Sequence, residues 1–394
     1  MVNLPIEKAP NMDMPATVEH AFKHLIGTNP VVVTRAPGRL EILGNHTDYN
    51  EGTVLSTAVN RATYVAAAPS GSAACRIVDV VNDTERCFDI NELADPQKGD
   101  WANYIKGLVV ELQARGVTVP GFNAVMGSTV PMSAGMSSSA ALEMSMLIAL
   151  LRLTATDMDW REMAKTGQAC ENRYVGANTG LLDQFSSLKG KENHLVYSDF
   201  RTLSVCNVPL PEGTALVVAN SMVKHNLTNE YNERREACEA AVRILRRLHE
   251  GVKALRDVSL EQLEDARSHM PDVVYRRALH VVGEISRVEA GVKALETGDV
   301  ATFGALMFAS QESSTHAFEN SCEEIDVLVD LARDLPGAIG ARLSGGGFGG
   351  ITVHLVEADA APSYGDELAR RYADKTGLHA DVVICAAADG AEVL

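Results

Sequence analysis

Hydrophobic and polar positions follow two rhythms along this chain, one helical and one of strands. The spacing predicts a helix near residues 16–27 and a strand at 30–35 ("PVVVTR"). "TVLSTAVNRATYVAAAPS" mixes β-branched and small residues and reads as one or two strands, and "ACRIVDVVN" with "ERCFDI" reads as a hairpin pair. "WANYIKGLVVELQARG" is apolar at 105, 108, 109 and 112 with Gly116 behind it, a helix with a glycine stop. "FNAVMGS" is a strand, and "SSSAALEMSMLIALLRL" is a helix apolar on nearly every face, which predicts burial on most sides.

Further on, "ALVVANS" (215–221) predicts a buried strand and "NEYNERREACEAAVRILRRLHE" a long charged helix with one apolar stripe. Two or three helices are expected over 259–334. Then come strand "GARLS", glycine loop "GGGFGG", strand "ITVHLV", helix "YGDELARRYADKTG" and strand "ADVVICA". No internal repeat or low-complexity tract appears. The pattern predicts an α+β class of mixed α/β character in two domains, 1–205 and 206–394. The break is expected between 190 and 215, where "KGKENH" and "PLPEG" interrupt the periodicity.

Length supports that division, because 394 residues exceed one ordinary core. A formal charge of −17 argues against nonspecific binding to nucleic acid or to an anionic membrane surface, though not against anions held by local groups. Seven scattered cysteines show no zinc spacing and read as reduced, mostly buried thiols of a cytoplasmic protein. No signal peptide and no membrane-spanning run is expected. The oligomeric state is not legible; a monomer is compatible with everything above.

Three stretches carry candidate chemistry. "VPMSAGMSSSAALE" (130–143) leads from a strand through small residues into the buried helix. Ser137, Ser138 and Ser139 are expected to supply N-cap oxygens and free N–H groups at the positive end of that helix, an anion site suited to phosphate. It is not a Walker loop, since GxxxxGK[ST] occurs nowhere. "SGGGFGG" (344–350) contains GxGxxG, but a β-branched run follows where a dinucleotide fold needs a helix; it is either a glycine-rich turn or a loop that lets a ligand approach closely. "ENRYVGANTGLLDQFSS" (171–187) holds Glu171 and Asp183 around two glycines, carboxylates fit to be a base, a metal ligand or solvated loop acids. A fourth stretch, "GRLEILGNHTDYNEG" (38–52), is dense in polar groups and reads as a loop for a small polar molecule.

Taken in order, "PGRLEILGNHTDYNEG", "VPMSAGMSSSAAL" and "ARLSGGGFGGITV" resemble the GHMP sugar-kinase superfamily, most closely the galactokinases. "GLLDQFSS", "NSMVKHNLTNEYNERREACE" and "SCEEIDVLV" are similar as well, so the resemblance covers about residues 34–387. It implies an N-terminal domain like ribosomal protein S5, a ferredoxin-like C-terminal domain and an active site in the cleft between them. It also implies ATP- and Mg²⁺-dependent phosphorylation of a hexose, galactose first, at the anomeric hydroxyl. By the same carry-over Asp183 is the catalytic carboxylate and Arg39 its partner. Ser139 and Glu171 hold Mg²⁺. Ser133, Ala134, Gly135, Met136, Ser137, Ser138 and Ser139, with Gly346 and Gly347, surround the ATP phosphates. Asn45, His46, Asp48, Gly180 and Tyr231 contact the sugar.

One departure stands out. Galactokinases carry Asn at the position of Glu41 and Glu at that of Asn45, so two residues four apart have exchanged. If the segment is helical, they share a face and the exchange is compensatory. Alternatively, since the family's glutamate at 45 lies near the sugar C6, Asn45 removes a repulsion, can donate a hydrogen bond and so permits a uronate such as galacturonate. That requires a cation near C6, for which Lys224, His225 and Arg61 are candidates. A non-catalytic sugar sensor is the remaining alternative.

Overall fold

The apolar run read as a strand at 30–35 continues well past it. In the computed structural model, which describes residues 13–93, 95–131, 135–223 and 228–394, strand β1 spans Val32–Leu43. Arg39 and Glu41, expected in a loop, therefore sit on a strand. Alternation is the cause: Leu40 and Ile42 point into a core at 0% and 1% exposure, which turns Arg39 and Glu41 to the opposite face.

Helix α1 (Met14–Ile26) precedes β1, with Asp13 at its N-cap and Gly27 in the left-handed conformation at its end. After β1 come β2 (Thr53–Pro69), β3 (Ala74–Asp79), β4 (Thr84–Asp89), α2 (Ala102–Ala114), β5 (Phe122–Ser128), α3 (Ser138–Leu153), α4 (Trp160–Ala169), α5 (Leu182–Lys189), β6 (His194–Asp199) and β7 (Ser204–Pro209). The second half holds β8 (Thr214–Asn220), α6 (Thr228–Leu248), α7 (Leu260–Asp265), α8 (Asp272–Glu296), α9 (Val300–Ser313), α10 (Glu323–Arg333), β9 (Ala338–Ser344), β10 (Ile351–Glu357), α11 (Ala361–Thr376), β11 (Asp381–Cys385) and β12 (Glu392–Val393). β2 is one long strand, β3 and β4 form the expected hairpin, and α3 is buried on most faces. The sequence reading passes over α4, α5, β6 and β7, and β6 begins inside the "KGKENH" stretch taken as a break.

The first sheet has the order β12-β1-β2-β5-β3-β4, with β6 on β2 and β7 on β6; β3 and β5 run parallel, and the other described pairs are antiparallel. The second sheet is antiparallel in the order β11-β8-β10-β9, the βαββαβ arrangement of a ferredoxin-like unit. The chain passes from one sheet to the other between Pro209 and Thr214, so a division at 205/206 would cut β7. One apolar cluster runs through both sheets: Leu40, Ile42 and Leu55 pack with Val288 of α8, Phe303 of α9, and Ile351 and Val353 of β10. Among the described residues no helix is long and apolar enough to cross a membrane. Cys75, Cys170, Cys238 and Cys385 are buried, whereas Cys87 and Cys206 are exposed.

Candidate active site

Where β1 meets the start of α3, the polar face of the strand opens into a cavity of about 170 Å³. Arg39, Glu41, Asn45, His46, Asp48, Gly180, Asp183, Tyr231, Gly345 and Gly346 are among its walls. Residues that are hundreds of positions apart meet here because both sheets and α6 converge on one point.

Arg39 donates from Nε to Asp183 Oδ1 at 2.8 Å and its Nη2 lies 2.6 Å from the same oxygen. Its Nη1 donates to the Gly135 carbonyl at 2.6 Å, and its backbone N–H donates to the Met136 carbonyl at 3.1 Å. β1 thus fixes both the carboxylate and the loop that enters α3. Ser137 donates to the other oxygen, Asp183 Oδ2. This corrects the expected cap: Ser137 has φ +54° and its hydroxyl makes no capping hydrogen bond, because it is turned to Asp183 instead. Ser133 and Ala134 lie outside the described residues, as do Lys224 and His225.

Glu171 sits in a π-helical turn, Cys170–Val175, that follows α4 and ends at Gly176. Its Oε2 accepts from Thr179 Oγ1 at 2.5 Å and from Gln184 Nε2 at 3.3 Å. Burial pushes its pKa up, and the nearby Asp183 charge adds to this, against hydrogen bonds from Thr179 and Ser139. Ser139 and Glu171 are therefore neighbours. Glu143 on α3, which sequence reasoning missed, lies fully buried behind them; it accepts from Gln184 at 3.2 Å, its Oε1 has no partner, and burial holds it well above the usual carboxylate range.

Residues 44 and 45, after the end of β1, are held from outside by α8. Glu284 accepts from the N–H groups of Gly44 and Asn45 at 3.0 and 2.9 Å and from Ser310 at 2.9 Å; although burial opposes it, Arg287 and other positive neighbours hold its pKa down to about 2. His280 lies one turn away, and its Nε2 is 3.2 Å from the Asn45 carbonyl. Burial lowers its pKa to about 3, so it is neutral at pH 7, and with only a carbonyl to meet, Nε2 is the protonated nitrogen. His46 follows the same logic: Nε2 donates to the Gly346 carbonyl at 3.1 Å, Nδ1 accepts from Tyr49 at 2.8 Å, and burial lowers its pKa to about 4. Its ring stands between Tyr231 and Phe318. Asp48 is pushed up to about 6, chiefly by burial. A Cβ on Gly180 would lie 1.5 Å from Asp48 Oδ2, so only glycine lets this carboxylate occupy its place.

The exchanged pair turns out to be in contact. Asn45 donates from Nδ2 to Glu41 Oε1 and to the Gly345 carbonyl, both at 2.8 Å, and Asn320 donates to its Oδ1 at 2.8 Å. Two acceptor-only partners fix the amide orientation. The contact comes from a strand end turning back and not from a helix face, and both amide hydrogens are used, so Asn45 has none left to donate to a ligand. Arg61, on β2, is not among the cavity walls.

A second cavity of about 380 Å³ adjoins Ser138 and Ser139 and is mostly apolar, with Trp101, Tyr104, Met126 and Leu142 among its walls. Trp101 Nε1 and Thr84 Oγ1 are buried there without partners.

Comparison with known proteins settles the family. Models described as the galactokinase galactose-binding signature, the GHMP kinase N-terminal domain and the GHMP kinase C-terminal region match residues 20–69, 103–191 and 292–374. Galactokinase of Roseiflexus sp. (strain RS-1) is 40% identical over 370 residues, 94% of each chain. Galactokinase of Chloroflexus aggregans is 38% identical over 376 residues, 95% of this chain and 96% of the relative. The chain belongs to the galactokinase family. Lactococcus lactis galactokinase, solved in complex with galactose, superposes with a TM-score of 0.92 at 27% identity, over 96% of this chain and 99% of that one. A mevalonate kinase of Methanococcus jannaschii shares the fold at a TM-score of 0.62 and 14% identity.

The fold is thus the two-domain GHMP kinase fold. In this galactokinase-family chain, Arg39, Asn45, His46, Asp48, Gly180, Asp183 and Tyr231 all meet at the smaller cavity; Ser137 bonds to its wall at Asp183 and Glu171 at Thr179, while Ser139 lines the larger cavity. Gly346, expected at the phosphates, lines the sugar-sized cavity, and the α-carbon of Gly347 lies against Asn320, where a Cβ would be 2.1 Å from its carbonyl oxygen. Nothing in the sequence singles out Glu143, His280, Glu284, Asn320 and Arg342, whose partners in the site are distant along the chain, or Thr179, whose partners Glu171 and Asn172 are near but which no local pattern distinguishes.

Proposed function

We propose that this chain transfers the γ-phosphoryl group of ATP to the anomeric hydroxyl of galactose. The observation that carries the reading is the charge of the smaller cavity. Three carboxylates (Glu41, Asp48, Asp183) line it; Arg39 pairs with Asp183 and the buried Arg342 pairs with Glu41 from behind, which leaves the site net negative through Asp48, the one without a described ion pair. Such walls favour a neutral polyol, whose hydroxyls donate to carboxylates, and repel a uronate. At about 4 Å the unpaired Asp48 carboxylate costs a second carboxylate about 1 to 4 kcal/mol, so galacturonate is disfavoured. The assembled Arg39–Asp183–Ser137 group speaks for an enzyme over a sensor.

In this reading the apolar cavity beside α3 takes the nucleotide base, with Trp101 and Tyr104 as its flat walls. The phosphates meet the N-terminus of α3, where Ser138 and Ser139 expose N–H groups and the helix dipole favours anions. Gly346 and Gly347 N–H groups donate to no described residue. Ser139 and Glu171 would hold Mg²⁺. A hydroxyl and one carboxylate side by side suit an ion that keeps waters and phosphate oxygens in its octahedron. When bound, that ion neutralises phosphate charge. Asp183 accepts the proton of the anomeric hydroxyl as its oxygen bonds to the γ-phosphorus and ADP leaves, and Arg39 keeps the carboxylate aimed. The need for ATP makes a cytoplasmic location part of the proposal.

The test is ADP formation screened against galactose, galacturonate, N-acetylgalactosamine and glucose. Galactose is expected to exceed galacturonate in kcat/KM by roughly tenfold to thousandfold. Equal rates for the two, or no sugar-stimulated ADP, would refute the reading. A further expectation concerns the metal: Glu171→Ala raises the Mg²⁺ concentration for half-maximal rate by about tenfold or more. An unchanged Mg²⁺ titration would remove Glu171 from the ligand set.

A further inference from the structure

The cavity walls contain one carboxylate whose two oxygens are treated very differently by the protein. Glu41 Oε1 is clamped: it accepts from Asn45 Nδ2 at 2.8 Å and from Arg342 Nη1 at 3.0 Å. Arg342 comes from β9 of the other sheet and is itself fully buried, with no described acceptor besides Glu41 for its side chain. The Glu41 backbone N–H is held as well, by Ser344 Oγ at 2.8 Å. Oε2, by contrast, accepts from no described residue, and it is not among the sealed polar atoms that lack a partner. The residue as a whole is only 3% exposed, and what it does expose belongs to the cavity. A carboxylate held rigidly by one oxygen with the other facing a polar cavity is an acceptor awaiting a donor.

Position along β1 indicates which donor. Arg39 and Glu41 pair in regular register with Ala58 and Ser56 of β2, so both side chains leave the strand on one face. Two residues of antiparallel strand separate them by about 7 Å. Arg39 marks the reacting end through Asp183. A group one strand repeat away meets the side of a pyranose ring opposite its anomeric carbon, where the C4 and C6 hydroxyls lie.

We infer that Glu41 is a specificity-determining residue of the sugar site, its Oε2 accepting a hydrogen bond from the hydroxyl at C4 or C6, with Asn45 and Arg342 as positioning residues. The inference rests on the reading of the cavity as a hexose site. It reverses the role expected for position 45. Asn45 does not read the sugar; its amide is consumed in aiming the carboxylate that does.

The experiment measures kcat/KM for galactose and for its 2-deoxy, 4-deoxy and 6-deoxy analogues in wild type and in Glu41→Gln. In wild type, loss of the C4 or the C6 hydroxyl is expected to lower kcat/KM at least about tenfold. In Glu41→Gln that penalty falls to within about threefold while the 2-deoxy penalty is unchanged. Because Glu41→Gln leaves the buried Arg342 without a counter-charge, Glu41→Gln/Arg342→Met is measured beside it and is expected to lose the same penalty. Asn45→Ala is expected to shrink that penalty and raise KM for galactose, with KM for ATP unchanged. A wild type that forms ADP with no hexose overturns the site reading and this inference with it. Normal wild-type turnover with no penalty at C4 and C6, or with the full penalty retained in both Glu41 variants, overturns the inference alone.

Discussion

Asp183→Asn is expected to lower kcat at least about 100-fold while the dissociation constants for galactose and ATP stay within about tenfold of wild type. The size follows from what Asp183 does in the structure. It is the carboxylate on which Arg39 and Ser137 converge, so it joins the strand that carries the guanidinium to the loop that opens α3. An amide of the same shape keeps an acceptor for Arg39 but has no lone pair to take a proton on its nitrogen. A loss of 100-fold corresponds to about 2.7 kcal/mol of transition-state stabilisation, within the usual range for a positioned base. Steady-state kinetics with calorimetric titration of each substrate separates the two terms. Turnover within about fivefold of wild type would take Asp183 out of the chemistry.

Gly180→Ala is expected to lower kcat/KM for galactose by roughly 10- to 100-fold, with KM for ATP and thermal stability little changed. The methyl group would occupy the place of the Asp48 carboxylate, 1.5 Å from Oδ2. Gly180 does not have a left-handed φ, so alanine adopts its backbone conformation without strain. The atom that must give way is the end of a side chain, which swings aside at little cost to folding but leaves the proposed sugar site without one of its carboxylates. A variant that melts as wild type does yet needs far more galactose would match. One with unaltered galactose kinetics would show that the place of Asp48 is immaterial to binding.

Much of this site was legible in the sequence, and the misses have physical causes. The start of α3 was readable because small residues, serines and an apolar helix are a local signal. The signal of β1 beyond residue 35 is present, since Arg39, Leu40, Glu41 and Ile42 alternate with period two, but a polar face turned to a cavity looks like a loop when polarity is read without its period. A shared face for Glu41 and Asn45 depends on a helix in the sequence, yet the two meet at a strand end, since spacing cannot tell a helical turn from a strand that ends and folds back. The supports of the sugar motif, His280, Glu284, Asn320 and Arg342, lie 235 to 301 residues from the atoms they hold, and no window on the sequence spans that distance.

The apolar cluster shared by the two sheets bears on when the site takes shape. Leu40 and Ile42, which flank Glu41 on β1, are packed with the residues of β10 that continue from the glycine loop. The same packing that folds the chain therefore sets the spacing between Arg39 and Glu41 on one sheet and Arg342 and Ser344 on the other. The entropy of ordering these groups is lost at folding and not at binding, so the dipoles and charges are preorganised and little rearrangement is left for the moment of reaction.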